Sequence, residues 1–159
     1  MDRAARYLDD PGPVGLFTRL ARVGMLVDAF QHRCLDPFGL RFVDYSVLRV
    51  LQLAHQAQVT PTELCEILLR SSGGVTQIVD RLEAAGLVAR RADPGDRRRV
   101  VVALTGAGLE IARRANTAYA RERRRILRTL SEEEVALADD AIRVLLAAFS
   151  TDAAAAARA

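Results

Sequence analysis

The sequence predicts a mainly α-helical fold with one small β-hairpin, and three observations predict it. Apolar residues recur at steps of three and four through most of the chain, the spacing that lines one face of a helix. That rhythm breaks once, from Leu87 to Leu104, where two short runs, the second holding Val100, Val101 and Val102, flank the turn-forming ADPGDRR. Half of the 159 residues are hydrophobic, which supplies the core of one domain and rules out a disordered chain.

Residues 1–13, with Pro11, Gly12 and Pro13, read as a flexible N-terminal arm. From Val14 to Leu35 a helix follows, with Leu16, Leu20, Val23, Val27, Phe30 and Cys34 at alternating steps of four and three, the seam of a helix packed against other helices. It should stop before Asp36-Pro37, because the residue preceding a proline is pushed out of helical geometry. A second helix spans Phe42 to Gln56, with Val43, Val47, Val50, Leu51 and Ala54 inward. Thr60-Pro61-Thr62-Glu63 is a capping box with proline at the first helical position, and Leu64, Ile67 and Leu68 form the buried face behind it. After a tight turn over Leu69 to Ser71, Ser71 and Ser72 offer hydroxyls to cap a helix over about residues 72–85. Its apolar stripe is Val75, Ile78, Val79 and Leu82, its other face carries Thr76, Gln77, Asp80, Arg81 and Glu83, and Gly86 stands where a C-terminal glycine belongs. Gly73 and Gly74 each cost roughly 1 kcal/mol in a helix relative to alanine, so their place at its start points to something approaching the backbone closely, as an anion does at a helix N-terminus.

Two helices joined by a tight turn make a helix-turn-helix, and the hairpin over about residues 87–104 adds a wing. Pro94-Gly95 suits the centre of a type II turn. Between Arg90 and Arg99 stand five arginines and two aspartates; such a run is often just a solvated loop, but clustered arginine also neutralises phosphates well. Thr105 can cap the next helix, Leu109 to about Leu130, whose stripe of Ile111, Ala112, Ala115, Ala118, Tyr119, Ile126 and Leu127 is rich in alanine. Its Arg121 to Arg128 segment holds five arginines and one glutamate, either a solvated face or an extension of a phosphate-facing patch. Ser131 to Glu134 is a second capping box, opening a helix with Val135, Ala138, Ile142, Leu145 and Phe149 on one side. Residues 151–159, TDAAAAARA, read as a disordered tail.

The net charge is +3 with a pI of about 9.4, and every basic residue is an arginine. No run approaches the roughly 18 apolar residues of a membrane span, and MDRAARYLDD lacks a signal-peptide core, so a cytoplasmic protein without membrane contact is expected. Cys34 and Cys65 make neither a disulfide framework nor a zinc site; as small buried hydrophobes they need no function, and the alternative is a redox-sensing thiol. No glycine-rich phosphate loop follows a strand, and no H-E-x-x-H, C-x-x-C or nucleophile elbow occurs. No catalytic residue, cofactor or metal is therefore expected.

The stretch PTELCEILLRSSGGVTQIVDRLEAAGLVARRADPGDRRRVVVALTGAG resembles the winged-helix core of the multiple antibiotic resistance regulator (MarR) family. The resemblance covers the middle third of the chain at motif level and the flanks in layout only. It implies a winged helix-turn-helix DNA-binding core over residues 36–105, flanked by N-terminal (14–35) and C-terminal (106–150) dimerisation helices. It further implies a homodimer in which each recognition helix reads half of a pseudo-palindrome in double-stranded DNA, usually to repress transcription until an effector intervenes. Asp96 and Arg98 match the family's D-x-R wing signature, the aspartate positioning the wing and the arginine, with Arg97 beside it, entering the minor groove. On the recognition helix Gln77 and Thr76 are the candidates for base edges, and Thr62, Arg70, Ser72, Gly73 and Arg81 for phosphates. Family members bind effectors beside the dimer helices, which makes His32, Phe38, Tyr45 and Arg49 the pocket candidates for a small anionic or phenolic effector. A tyrosine and an arginine on a helix are equally an ordinary half-buried aromatic and a solvated charge. Similarity to the urate-responsive subgroup stops at the recognition helix, since that subgroup relies on a tryptophan and this chain has none. The rival from another class is a winged helix that binds a protein partner and no DNA.

Overall fold

The computed structural model describes residues 11–54, 57–93, 95, 96 and 98–156, so residues 1–10 of the expected arm lie outside the described residues. The chain forms two compact units, one through Tyr119 and the other from Ala120 onward. The first opens with helix α1 (Pro13–Leu35), whose proline sits in the first turn behind Gly12, where its missing N–H costs nothing. Asp36 keeps helical dihedrals (φ −54°, ψ −38°) instead of leaving them as Pro37 was expected to require, because the chain tightens into a single 3₁₀ turn, Asp36–Phe38. Helix α2 (Phe42–Leu53) follows and ends short of the expected Gln56, a residue outside those described. Ala54 is already extended there.

Next come β1 (Gln58–Val59), α3 (Pro61–Leu68) and α4 (Ser72–Ala84), then β2 (Val88–Ala92), β3 (Val100–Leu104) and α5 (Gly106–Leu127). The three strands form an antiparallel sheet in the order β1-β3-β2. The hairpin pairs Val88 with Leu104 through to Ala92 with Val100, and β1 adds Gln58 opposite Ala103 and Val59 opposite Val102. The sequence predicts the hairpin but not β1, since two residues are too few to show an alternating pattern.

The core of this unit gathers one apolar face from each helix: Leu35 from α1, Val47, Leu48 and Leu51 from α2, Leu64 from α3, Val75, Val79 and Leu82 from α4. Val88 and Val102 close it from the sheet. The expected face of α3 needs one correction. Leu64 is sealed and Leu68 is half-buried, but Ile67 is 56% exposed, because it lies to one side of the line that Leu64 and Leu68 draw at a step of four. Thr105 ties the sheet to α5. Its hydroxyl accepts from the Gly108 N–H at 2.9 Å and donates to the Gly86 carbonyl at 2.7 Å. A Cβ on Gly108 would lie 1.8 Å from the Leu87 carbonyl oxygen, so only glycine permits this approach of helix to strand.

The second unit holds the end of α5 and helix α6 (Glu132–Ala156). The expected capping box is formed: the Ser131 N–H donates to Glu134 at 2.7 Å and the Glu134 N–H to the Ser131 hydroxyl at 3.1 Å. The helix continues to Ala156, where the sequence reading expects a disordered tail from residue 151; alanine is the strongest helix former, and a run of it prolongs the helix. Residues 157–159 of that tail lie outside the described residues. Among the described residues no helix is long and apolar enough to cross a membrane, and no cluster of side chains could hold a metal ion.

Candidate nucleic-acid interface

Helix α4 begins and ends as its sequence requires. Ser71 is the N-cap, its hydroxyl accepting from the Gly74 N–H at 3.2 Å, and Gly86, at φ 70°, takes the left-handed conformation that closes a helix at its C-terminus. Burial of Val75, Ile78, Val79 and Leu82 fixes the helix's roll and leaves Ser72, Gly73, Thr76, Gln77 and Asp80 exposed along the opposite face. The Thr76 hydroxyl donates to the Ser72 carbonyl at 2.8 Å, which commits the hydroxyl to the helix and not to an incoming group. A Cβ on Gly73 would meet nothing within 4 Å. Among the described residues nothing requires glycine there, and the first turn is left open.

The helix-turn-helix is held from both sides. On α3, Thr60 and Glu63 cap each other: the Thr60 N–H donates to the Glu63 carboxylate at 2.8 Å, and the Glu63 N–H donates to the Thr60 hydroxyl at 3.2 Å. Thr62 is exposed on the same first turn. Leu69 takes the turn with φ 50°, an uncommon conformation for a branched side chain, and Arg70 follows with its side chain exposed. Arg81, expected to hold a phosphate, is engaged within the fold. Its guanidinium is bound to Asp44 on α2, through Nε at 3.1 Å and through Nη2. Asp44 is 3% exposed and also accepts from the Arg41 N–H at 3.0 Å. A carboxylate out of water must be paired, and Arg81 is the pair.

A similar assignment falls on Arg90, counted in the sequence among the free charges of the wing. Its N–H donates to Glu83 at 2.8 Å, and its guanidinium reaches both Glu83 and Asp80, the latter at 2.6 Å. The N–H donated by Arg90, followed by the guanidinium, holds the Glu83 carboxyl below its ordinary range. The wing is thus bolted to the recognition helix at its base. At its tip the Asp96 carboxylate accepts from the Arg98 N–H at 3.0 Å, and the Arg99 N–H donates to the Asp96 carbonyl at 2.9 Å. Asp96 therefore shapes the loop from which Arg98 projects, exposed. Pro94 and Arg97 lie outside the described residues.

The four pocket candidates are not brought together. His32 lines a cavity of about 370 Å³ with Arg41 and Arg70, which Phe38, Tyr45 and Arg49 do not line. Tyr45 is 8% exposed, stacked on Tyr119 with centroids 5.2 Å apart, and donates to Asn116 at 3.1 Å, so it belongs to the core. Phe38 lies under the Arg114 guanidinium, and Arg49 donates to Gln52 at 2.8 Å. Cys34 is buried and Cys65 half-buried. Sequence reasoning missed Asp44, although one acid within the apolar run of α2 was a visible signal; it also missed the clamp of Arg90 on Glu83, for which a wing-root arginine seven residues away carries no local pattern.

The family model described as MarR family matches residues 38–99. The chain is 30% identical over 133 residues to an HTH-type transcriptional repressor of Mycobacterium bovis, Mb2911, an alignment spanning 78% of this chain and 86% of that protein. Among solved structures it is similar to CouR from Rhodococcus jostii bound to p-coumaroyl-CoA, with 28% identity, a TM-score of 0.72 and coverage of 87% of this chain and 93% of that one. It is likewise similar to a mutant MarR from Escherichia coli complexed with operator DNA, with 26% identity, a TM-score of 0.73 and coverage of 87% and 97%.

Proposed function

The chain belongs to the MarR family of transcriptional regulators, and from that premise we propose that it is a cytoplasmic repressor that binds a pseudo-palindromic operator as a homodimer and is released by a small organic anion. The observation that carries the reading is the exposed face of α4, where Ser72, Gly73, Thr76 and Gln77 stand clear of the core beside a wing bolted to the same helix by Arg90. Gln77 is the residue for an adenine edge, and the Thr76 methyl can touch a thymine. Ser72, Gly73, Thr62 and Arg70 meet phosphates, and Arg98 reaches the minor groove.

Dimerisation is supported by α1, where Val14, Phe17, Val23, Met25 and Leu26 are each more than half exposed, an apolar surface that a soluble monomer does not leave uncovered. Two-fold symmetry then sets the half-site centres about 10 base pairs apart. For release, the support is the cavity beside His32 and the solved complex of CouR with p-coumaroyl-CoA.

Two substitutions test the assignment by fluorescence anisotropy on operator DNA and its single-base variants. Arg98→Ala should weaken binding by about 1–3 kcal/mol whatever the half-site sequence, and Gln77→Ala should lose about that much at one position per half-site only. Unchanged affinity of Arg98→Ala at every salt concentration would remove the wing from the interface.

A further inference from the structure

The charges of residues 121–140 are sorted by sign. Arg121 to Arg128, at the end of α5 and in the turn after it, include five arginines and one glutamate; Glu132 to Asp140, opening α6, include five acids and no base. Each stretch suits the dipole of the helix end where it stands. That effect fades within one turn, however, and Asp139 and Asp140 lie beyond the first turn of α6. Among the described residues no ion pair joins the two stretches: Arg121 and Arg125 both pair with Glu122, and Asp139 pairs with Arg143. The same segment is short of a core. From Ser131 to Thr151 only Val135 and Leu145 are even half-buried, while Leu137, Ile142, Val144 and Leu146 are each more than half exposed. A helix of 25 residues with so much apolar surface bare is held by packing on something else.

We infer that a second copy of this chain covers the segment and that charge selects it, the arginine stretch of one protomer meeting the acidic stretch of its partner. Two-fold symmetry makes the match twice, since a contact given by one copy is returned by the other. The inference rests on the homodimer proposed above and adds how the partner is chosen. A related chain with its charges laid out otherwise would set like charges against each other. A nucleic acid would meet the arginines alone. It would leave the apolar residues of α6 in water and face five acids, so a second copy is the occupant that fits the segment as a whole. Surface ion pairs add little affinity; apolar burial supplies the hold and charge the choice.

The test uses full chains and two charge reversals. One carries Arg123→Glu, Arg124→Glu and Arg128→Glu; the other carries Glu132→Arg, Glu133→Arg and Asp140→Arg. Neither set touches a residue of the ion pairs above or of the Ser131–Glu134 cap. Sedimentation equilibrium should show each variant alone dimerising at least about tenfold more weakly than the unaltered protein, and an equimolar mixture should recover the unaltered constant. Native mass spectrometry of that mixture should find mixed dimers well above the half expected from random pairing. Damage to a helix end would weaken each variant but could not be repaired by mixing, so recovery isolates contact between copies. If the reversals prevent folding, the triple variant Arg123→Gln, Arg124→Gln, Arg128→Gln decides: its dimer constant should vary less with salt than that of the unaltered protein. Variants that dimerise as the unaltered protein does, a mixture without recovery, or an equal salt dependence would overturn the inference. So would an arginine reversal that keeps the dimer while loosening random-sequence DNA, which would give the arginines to nucleic acid. A monomeric unaltered protein would overturn the homodimer reading and this inference with it.

Discussion

Gly73 and Arg81 look alike in the sequence, as residues placed to meet a phosphate, and the structure separates them. Gly73 has open space where a Cβ would go, so Gly73→Ala should raise folding stability by up to about 1 kcal/mol and at the same time weaken DNA binding. Urea denaturation and anisotropy should therefore move in opposite directions; an alanine that leaves DNA affinity intact would show that nothing approaches the helix there. Arg81 is a structural residue. Removing it strands the Asp44 carboxylate, 3% exposed, whereas neutralising Asp44 leaves an arginine side chain 36% exposed that water can reach. Arg81→Ala should consequently cost about 3 kcal/mol, and Asp44→Asn only about 1 kcal/mol, both read as shifts in urea midpoint. Equal losses would mean that the pair is less buried than its geometry indicates. Capping residues were legible one by one, Thr60, Ser71, Thr105 and Ser131 among them, because a cap is a local pattern. The partner of Arg81 was not, since it lies 37 residues away on another helix.

Arg90 ties the wing to two carboxylates of α4, Glu83 and Asp80. Glu83 accepts the Arg90 N–H and pairs with its guanidinium, and its folded pKa lies below the ordinary value of 4.5. A lowered folded pKa means that the unfolded chain binds the proton first. The anchor's contribution is therefore present above pH 4.5 and is lost as pH falls through the lower folded value. Followed by NMR, the Arg90 amide should titrate with a midpoint below 4.5, and a midpoint at or above it would show that the clamp does not form. Among the elements, α1, α3 and α4 were legible almost to the residue, whereas α5 spans Gly106–Leu127 where Leu109 to about Leu130 was expected and α2 ends at Leu53, short of Gln56. Strand β1 was not legible, because it exists only through its pairing with β3. The end of α6 has the low complexity of a tail, yet the helix propensity of its alanines carries the helix through Ala156.

The apolar surface left exposed along α1 sets what a single chain cannot do alone. The seam of Leu16, Val23 and Val27 was visible in the sequence as a helix wanting a partner, and in the structure these residues are 41%, 51% and 43% exposed. His32, Phe38, Tyr45 and Arg49 share helical stretches but do not line one cavity, and Arg70 lines the cavity that His32 lines. In the function proposed above, a dimer presents two copies of α4 and its wing to specific DNA. The most direct test of it is anisotropy of the purified protein against DNA from its own upstream region and against random sequence, each across a salt series. Specific binding should be about a thousandfold or more tighter than random, with affinity falling steeply as salt rises. Affinity no greater for any segment selected from the genome than for random DNA would contradict it.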